Sequence, residues 1–415
     1  MIKKTVSALL ILFTNFTLAY NGAESETFSG PYSTAMENFN PLASDAAIAG
    51  FIGSSGRGIC NPGVNDEEPS GDTTSNYINP VFKNWASNYA NYIPAPAMDQ
   101  SLIGNEVYSP TGGVPDIWRK PQEALGHVTG DNFNVCVLGD LWLEQLAVLN
   151  PENSGYMYNY LLADDDPNKI QPGQITLSFD EPITNGPGPD FAVFENGFIS
   201  AGGAGVGGQI FAELAYVEVS TNGIDFVRFP SVSLTPDDVG AYGTIDPSNV
   251  YNLAGKHVNA YESSWGTPFN LKDIETFEQV ITGTVDINNI NYVRIIDIPG
   301  NGFFQDNAST IIEPNSIDES TGTGGTLYEK NHGIHDAWVT WGSGGFDLEA
   351  IGAIQQIYGD ANSDGIVDMM DFIRLASRWK QYGNWPQGDF NEDRYVDEHD
   401  MFLLAENWLY DLLNE

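Results

Sequence analysis

The sequence predicts a mainly β protein, a β-sandwich followed by a small α-helical unit at the C-terminal end. Three observations predict it. The 415 residues include 44 glycines and 23 prolines, a mix that favours a turn-rich chain over a helical one. From Ala124 to Ile357 short apolar runs alternate with polar residues at a period of two. Between Gln355 and Gly359 the period changes sharply, and two helical patterns come after it, each directly behind an acidic loop.

The N-terminus reads as an export signal over residues 1–19. Lys3 and Lys4 form a basic start, Val6 to Phe13 is a short apolar run, and Thr17-Leu18-Ala19 offers a small-residue cleavage site. The run is too short to span a membrane comfortably, so a secreted or cell-surface protein without stable membrane insertion is expected, with an uncleaved anchor as the alternative. Residues 20–119 are rich in Gly, Ser, Asn and Pro, and are expected to form an irregular lead-in that packs on the β domain. Cys60 and Cys136 are the two cysteines; a disulfide is expected in an oxidising compartment, with two buried thiols as the alternative.

Hydrophobic residues make up 41% and aromatics 12%, enough for a packed core. Sixteen basic residues face 56 acidic ones, for a formal net charge of -40. Such a surface repels nucleic acid and anionic membranes and suits cations, neutral sugars or basic protein patches.

The strands of the domain over residues 120–355 come in this order. Ile175-Thr176-Leu177-Ser178-Phe179 alternates as a half-buried strand should, and Phe191-Ala192-Val193-Phe194 is a short buried one. Tyr216 to Ser220 alternates again, Thr221-Asn222-Gly223 turns, and Phe226 to Phe229 returns; the Asn-Gly step supplies positive φ cheaply. Tyr292 to Ile298 is a further strand, and Phe346 to Ile351 is expected to close the sheet. Many short strands with long loops point to a β-sandwich.

The strongest pattern lies in residues 356–415. Asp360, Asn362, Asp364, Asp368 and Asp371 recur as Asp389, Asn391, Asp393, Asp397 and Asp400, at a constant offset of 29 residues. Leu375, Ala376 and Trp379 recur as Leu404, Ala405 and Trp408. Calcium takes six to eight hard oxygens, which a twelve-residue loop supplies from positions 1, 3, 5, 7, 9 and 12. The aspartates and asparagines fill those positions, and the backbone carbonyls of Ile366 and Tyr395 fill position 7. Two calcium sites are therefore expected. Without metal the carboxylates repel one another, so folding and binding are coupled. Gly365 occupies the sharp turn at position 6; Arg394 replaces it in the second loop, which is expected to be strained and weaker.

The segment from Gly359 to Leu409 resembles the type I dockerin, a pair of calcium-binding, EF-hand-like loops each followed by a helix. The resemblance implies a cohesin-type protein partner, with a calcium-stabilised helical pair that packs on its own β domain and binds no cohesin as the alternative. Met369-Met370 and Glu398-His399 stand where the family makes cohesin contacts, and their difference argues against symmetric two-way docking.

Ala124 to Gly126, Val137 to Gly139, Ile175 to Pro182, Asp190 to Gly197, Val217 to Phe229, Tyr292 to Ile295 and Gly344 to Ala350 resemble exported bacterial surface proteins with a discoidin-like or galactose-binding-like jelly roll. That resemblance implies loops that bind sugars or a structural calcium. Trp265, Trp338 and Trp341 are candidates for an aromatic sugar platform, with ordinary packing as the alternative. A glycosidase needs two carboxylates flanking the bond. Asp190, Glu195, Asp347 and Glu349 are available, but none sits in a catalytic signature, and each reads first as a structural acceptor. His332, His335 and Asp336 could hold a metal with one more ligand, though a polar loop is the simpler reading. The expectation is a non-catalytic exported protein, calcium-binding and associated with polysaccharide binding or degradation. The alternative is a polysaccharide-active glycoside hydrolase carrying a dockerin.

Overall fold

The computed structural model of the protein describes residues 45–53, 56–60, 76–95, 114, 117–141, 172–202, 205–306, 332–338 and 344–414. The signal segment 1–19 and Trp341 lie outside the described residues.

The chain is mainly β. In chain order its main strands are β1 (Ile48–Ala49), β2 (Phe82–Trp85), β3 (Asn88–Ile93), β4 (Cys136–Val137), β5 (Gln174–Ile183), β6 (Phe191–Glu195), β7 (Ala215–Ser220), β8 (Val227–Arg228), β9 (Trp265–Phe269), β10 (Ile290–Asp297) and β11 (Asp347–Ile354). Among the described residues six of them form one antiparallel sheet, ordered β1-β9-β6-β11-β2, with β4 also paired to β11. Five form a second antiparallel sheet, ordered β8-β7-β10-β5-β3.

The largest core cluster draws Phe191, Val193, Leu348 and Ile351 from the first sheet, and Leu177, Val217, Val219 and Val293 from the second. Ala192, Phe194 and Ala350 point the other way, into a cluster with Ile48, Phe51 and Phe82. β6 is thus buried on both faces, which is why Phe191 to Phe194 reads as a continuous apolar run and not as an alternation. β5 has one wetter face: Ile175, Leu177 and Phe179 are buried while Ser178 is half-buried and Asp180 exposed.

Four expectations meet a different outcome. The lead-in is not irregular throughout, because residues 45–53 and 76–95 carry strands that join both sheets. Those strands are two to six residues long and take their order from pairing with longer neighbours, so they leave little periodicity to read. β11 does not close its sheet but lies inside it, between β6 and β2. The hairpin after β7 forms, with Gly223 at φ +74°, but its return strand is only Val227–Arg228. Cys60 and Cys136 are unpaired buried thiols. They belong to different core clusters, Cys136 in the one between the sheets and Cys60 in the one on the far side of β6.

At the C-terminal end lie helices α1 (Met369–Ser377) and α2 (Glu398–Glu406). Their core gathers Ile357, Val367, Phe372, Leu375, Trp385, Phe390, Val396 and Leu404. Among the described residues no helix is long and apolar enough to cross a membrane.

Candidate metal centre

Each helix starts at an aspartate whose chemistry fixes the start. Asp368 caps α1 and forms a capping box with Asp371; Asp397 and Asp400 do the same for α2. Each box satisfies backbone N–H groups that the first helical turn leaves without partners.

The loops ahead of the helices are built by the same rule. In the first, Asp360 Oδ1 accepts from Asp364 N at 3.1 Å and Oδ2 from Gly365 N at 2.8 Å. Asn362 Oδ1 accepts from Asp364 N at 3.1 Å, and Asp364 Oδ1 from Ile366 N at 3.0 Å. Asp371 closes the loop, taking Ala361 N at 2.9 Å, Asn362 N at 3.2 Å and Asp368 N at 2.8 Å. The second loop repeats each bond. Asp389 accepts from Asp393 N and Arg394 N at 3.1 and 2.9 Å. Asn391 accepts from Asp393 N, and Asp393 from Tyr395 N, both at 2.9 Å. Asp400 takes Phe390 N, Asn391 N and Asp397 N at 2.8, 3.1 and 2.8 Å.

The correspondence extends to backbone shape. Ser363 and Gly365 have positive φ, and so do Glu392 and Arg394. The segments after the helices cross over to the other loop: Val367 N donates to Tyr410 O at 3.0 Å, and Val396 N to Gln381 O at 2.9 Å. The unit is therefore internally two-fold, each loop being tied to the tail of the other helix.

Asp360, Asp371 and Asp400 are fully buried and Asp389 nearly so. Burial pushes the Asp371 and Asp389 carboxyls up to about 7, and neighbouring aspartates push the same way. Asp360 is raised well above the usual carboxylate range, by burial first and then by Asp371. Among the described residues no group of three or more His, Cys, Asp or Glu side chains is gathered closely enough to hold a metal ion. The carboxylate oxygens are taken up by backbone N–H groups instead. The donor set itself is all oxygen, anionic, and turned into two small loops, which is the chemistry a hard divalent cation requires.

The loops are also docked on the β body. Arg57 Nη2 lies 2.5 Å from Asp364 Oδ2, and Asn79 Nδ2 donates to the Ser363 carbonyl at 2.8 Å. Lys272 Nζ lies 2.8 Å from Glu392 Oε2, and Asn270 Nδ2 donates to Glu392 Oε1 at 3.0 Å. A cleft of about 360 Å³ remains between the second loop and the β body, lined in part by Tyr251, Asp273, Trp385 and Arg394. Nothing local in the sequence marks Arg57, Asn79 or Lys272 as anchors; they stand 120 or more residues from their partners.

The other candidates fare differently. Trp265 and Trp338 are buried in one core cluster, and Trp338 Nε1 donates to the Leu141 carbonyl at 3.2 Å, so neither can serve as a sugar platform. Both fill space between the β-strands and the loops, a role that residue type alone does not reveal. Asp190 accepts from Gly186 N and Leu271 N, both at 2.7 Å. Glu349 accepts from Thr129 N at 2.6 Å and Gly130 N at 2.8 Å, and Glu195 from Gly197 N at 2.8 Å. These are buried acceptors for loop backbone. His332 turns Nδ1 to the Gly333 carbonyl, His335 stands 6.4 Å from it ring to ring, and Asp336 serves Leu214 N. The three do not converge.

No sequence motif marks two of the aromatic rings that do reach solvent. Phe133 is 67% exposed and stacks on Trp118, and Tyr261 is 69% exposed and stands edge-on to Phe198. Asn132 Oδ1 joins their loops by accepting from Tyr261 N at 2.7 Å. No protein-family model matches this chain, and a comparison with curated proteins finds no relative.

Proposed function

We propose that this is a secreted or cell-surface, non-catalytic protein that binds two calcium ions through a dockerin-like C-terminal module and associates with polysaccharide. One observation carries the reading. The hydrogen bonds that shape the first loop recur in the second, residue for residue, from Asp360 and Asp389 onward. Bound calcium would be held by the side chains of Asp360, Asn362, Asp364, Asp368 and Asp371 with the Ile366 carbonyl, and by Asp389, Asn391, Asp393, Asp397 and Asp400 with the Tyr395 carbonyl. It would neutralise carboxylates that burial now pushes towards protonation.

The two sheets are read as the layers of a jelly-roll, galactose-binding-like β-sandwich, and the exposed Phe133 and Tyr261 support glycan contact by that part. The non-catalytic reading is supported by Asp190, Glu195 and Glu349, each engaged by backbone donors. A cohesin-type partner would meet α1, where Met369, Met370 and Ile373 are exposed. Export rests on residues 1–19.

Calorimetric titration of the full chain tests the calcium reading. Two ions should bind, and Asp360→Ala or Asp389→Ala should each remove one. Absence of heat together with an unmoved thermal midpoint at millimolar calcium would overturn it. Release of reducing sugar from a polysaccharide panel would replace the non-catalytic reading with a glycoside hydrolase carrying a dockerin.

A further inference from the structure

Two buried carboxylates elsewhere in this fold are given a cation. Glu218 lies opposite both Arg228 and Arg294 and is bonded to both guanidinium groups. Asp45 is paired with the buried Lys256 ammonium. One acidic group is treated differently. Asp140, Glu195, Asp297, Asp336 and Asp347 feel one another's charge where β10 ends and β11 begins, and Glu213 is bonded to the segment just before β11.

The chain segments there are in direct contact. Leu138 N donates to Phe346 O at 2.9 Å, and Phe346 N to Asp297 Oδ1 at 2.8 Å. A Cβ on Gly345 would fall 2.8 Å from Asp140 N, so the two backbones touch. Three of the six acids keep no buried oxygen without a partner, and each takes a backbone donor: Glu195 takes Gly197 N at 2.8 Å, Glu213 takes Gly345 N at 3.1 Å, and Asp336 takes Leu214 N at 2.7 Å. The other three each keep a buried oxygen without a hydrogen-bond partner: Asp140 Oδ2, Asp297 Oδ2 and Asp347 Oδ1. Asp297 is fully buried, and Asp140 is 8% exposed.

A buried carboxylate oxygen left bare forfeits its hydration with nothing in return, so such a group must take a proton or a counter-ion. Burial pushes the Asp140 carboxyl up to about 8. Asp297 and Asp347 are also raised well above the usual range by burial, and Asp140 adds to both.

We propose that Asp140 and Asp297, with Asp347 beside them, hold a calcium ion inside the β body, separate from the two C-terminal loops. Two carboxylates neutralise one divalent ion, and Asp347 stands outside that pair, since no three acidic side chains among the described residues come close enough to hold a metal together. The remaining ligands of a calcium shell are backbone carbonyls and water. Calcium suits the place better than magnesium, since irregular loop ends cannot supply a near-ideal octahedron.

The test uses the full chain carrying Asp360→Ala and Asp389→Ala, which disables both loops. After gel filtration in calcium, metal analysis should find one ion per chain, and calcium but not magnesium should raise the thermal midpoint. Adding Asp140→Asn or Asp297→Asn should remove that ion. In the intact chain the same Asn variants should lower the count from three to two, which reads the site even if the loop-disabled chain folds poorly. No retained ion overturns the proposal. So does an ion unaffected by either Asn variant. A midpoint indifferent to calcium that rises as the pH is lowered would show that protons, not calcium, occupy these oxygens.

Discussion

Asp371→Ala removes the group that closes the first loop, and the cost can be worked from its bonds. Its carboxylate accepts from Ala361 N, Asn362 N and Asp368 N. The Ala361 bond is buried and the other two are partly buried. Losing a charged acceptor for a buried donor costs about 2 kcal/mol, and partly wetted donors recover much of theirs from water, costing about 0.5 kcal/mol each. The gross loss is therefore about 3 kcal/mol. Removing one carboxylate from a crowded loop returns about 1 kcal/mol. A net loss of about 2 kcal/mol should appear in metal-free protein at pH 8, where the group is mostly charged. Asp400→Ala should cost the same, because its three donors and their burial match. Asp371→Asn should cost less than Asp371→Ala, since it keeps an acceptor for Ala361 N. Urea unfolding in chelator reads this through the fluorescence of Trp385, whose ring lies 5.2 Å from that of Phe390 in the module core. If both Ala variants unfold with wild-type midpoints in chelator, the loops are not held by these hydrogen bonds before metal arrives, and the reasoning fails.

Arg394→Gly should stabilise the metal-free module by about 1 kcal/mol in the same assay, because Arg394 is held at φ +73° where only glycine is free of a Cβ penalty; no gain would mean that the Arg side chain contributes as much as the strain costs. Trp338→Ala should cost about 3 kcal/mol in thermal unfolding and leave any polysaccharide retention of the folded protein unchanged, since the ring is core. Phe133→Ala with Tyr261→Ala should do the reverse, abolishing retention with less than about 1 kcal/mol of stability lost, as exposed rings support little packing. His257 is buried with its Nε2–H given to the Asp45 carbonyl at 2.7 Å, and burial lowers it to about 3. A depressed folded value means that the stability it contributes is present above the unfolded value near 6.5 and is lost as pH falls towards 3. Between those values wild type should lose up to about 1.4 kcal/mol more per pH unit than His257→Gln; equal slopes in pH-dependent urea midpoints would refute the assignment.

The legible parts of this protein are local. Ile175 to Phe179, Phe191 to Phe194, Tyr216 to Ser220 and Tyr292 to Asp297 all lie in strands, with Ile298 just past the end of the last, because each spans enough residues for a period or an apolar run to show. β1, β2 and β4 are not legible: with two to four residues they have no period, and pairing with β9 and β11 is what orders them. Trp265 and Trp338 can be named as large aromatics, but exposure is a property of what packs over them. For Trp265 that includes Gly58, where a Cβ would collide with the indole. Phe133 and Tyr261 are the same residue class with the opposite fate.

The sequence by itself determined the twelve-residue spacing of the two loops, the aspartates at their ends and the helices after them, since each hydrogen bond of a loop joins residues no more than ten apart. It also set the contrast between Gly365 and Arg394. What that contrast means was decided only by the tertiary structure. Both residues adopt the same left-handed backbone, at φ +80° and +73°, so conformation alone does not separate them. Gly365 faces Pro80, where a Cβ would come within 2.8 Å of the ring, while Arg394 opens onto the cleft beside Lys272 and Glu392. Both loops are docked on the β body, but position 6 is pressed against it in the first and faces a cleft in the second, and only the packing of distant segments fixes which loop has room there for a side chain.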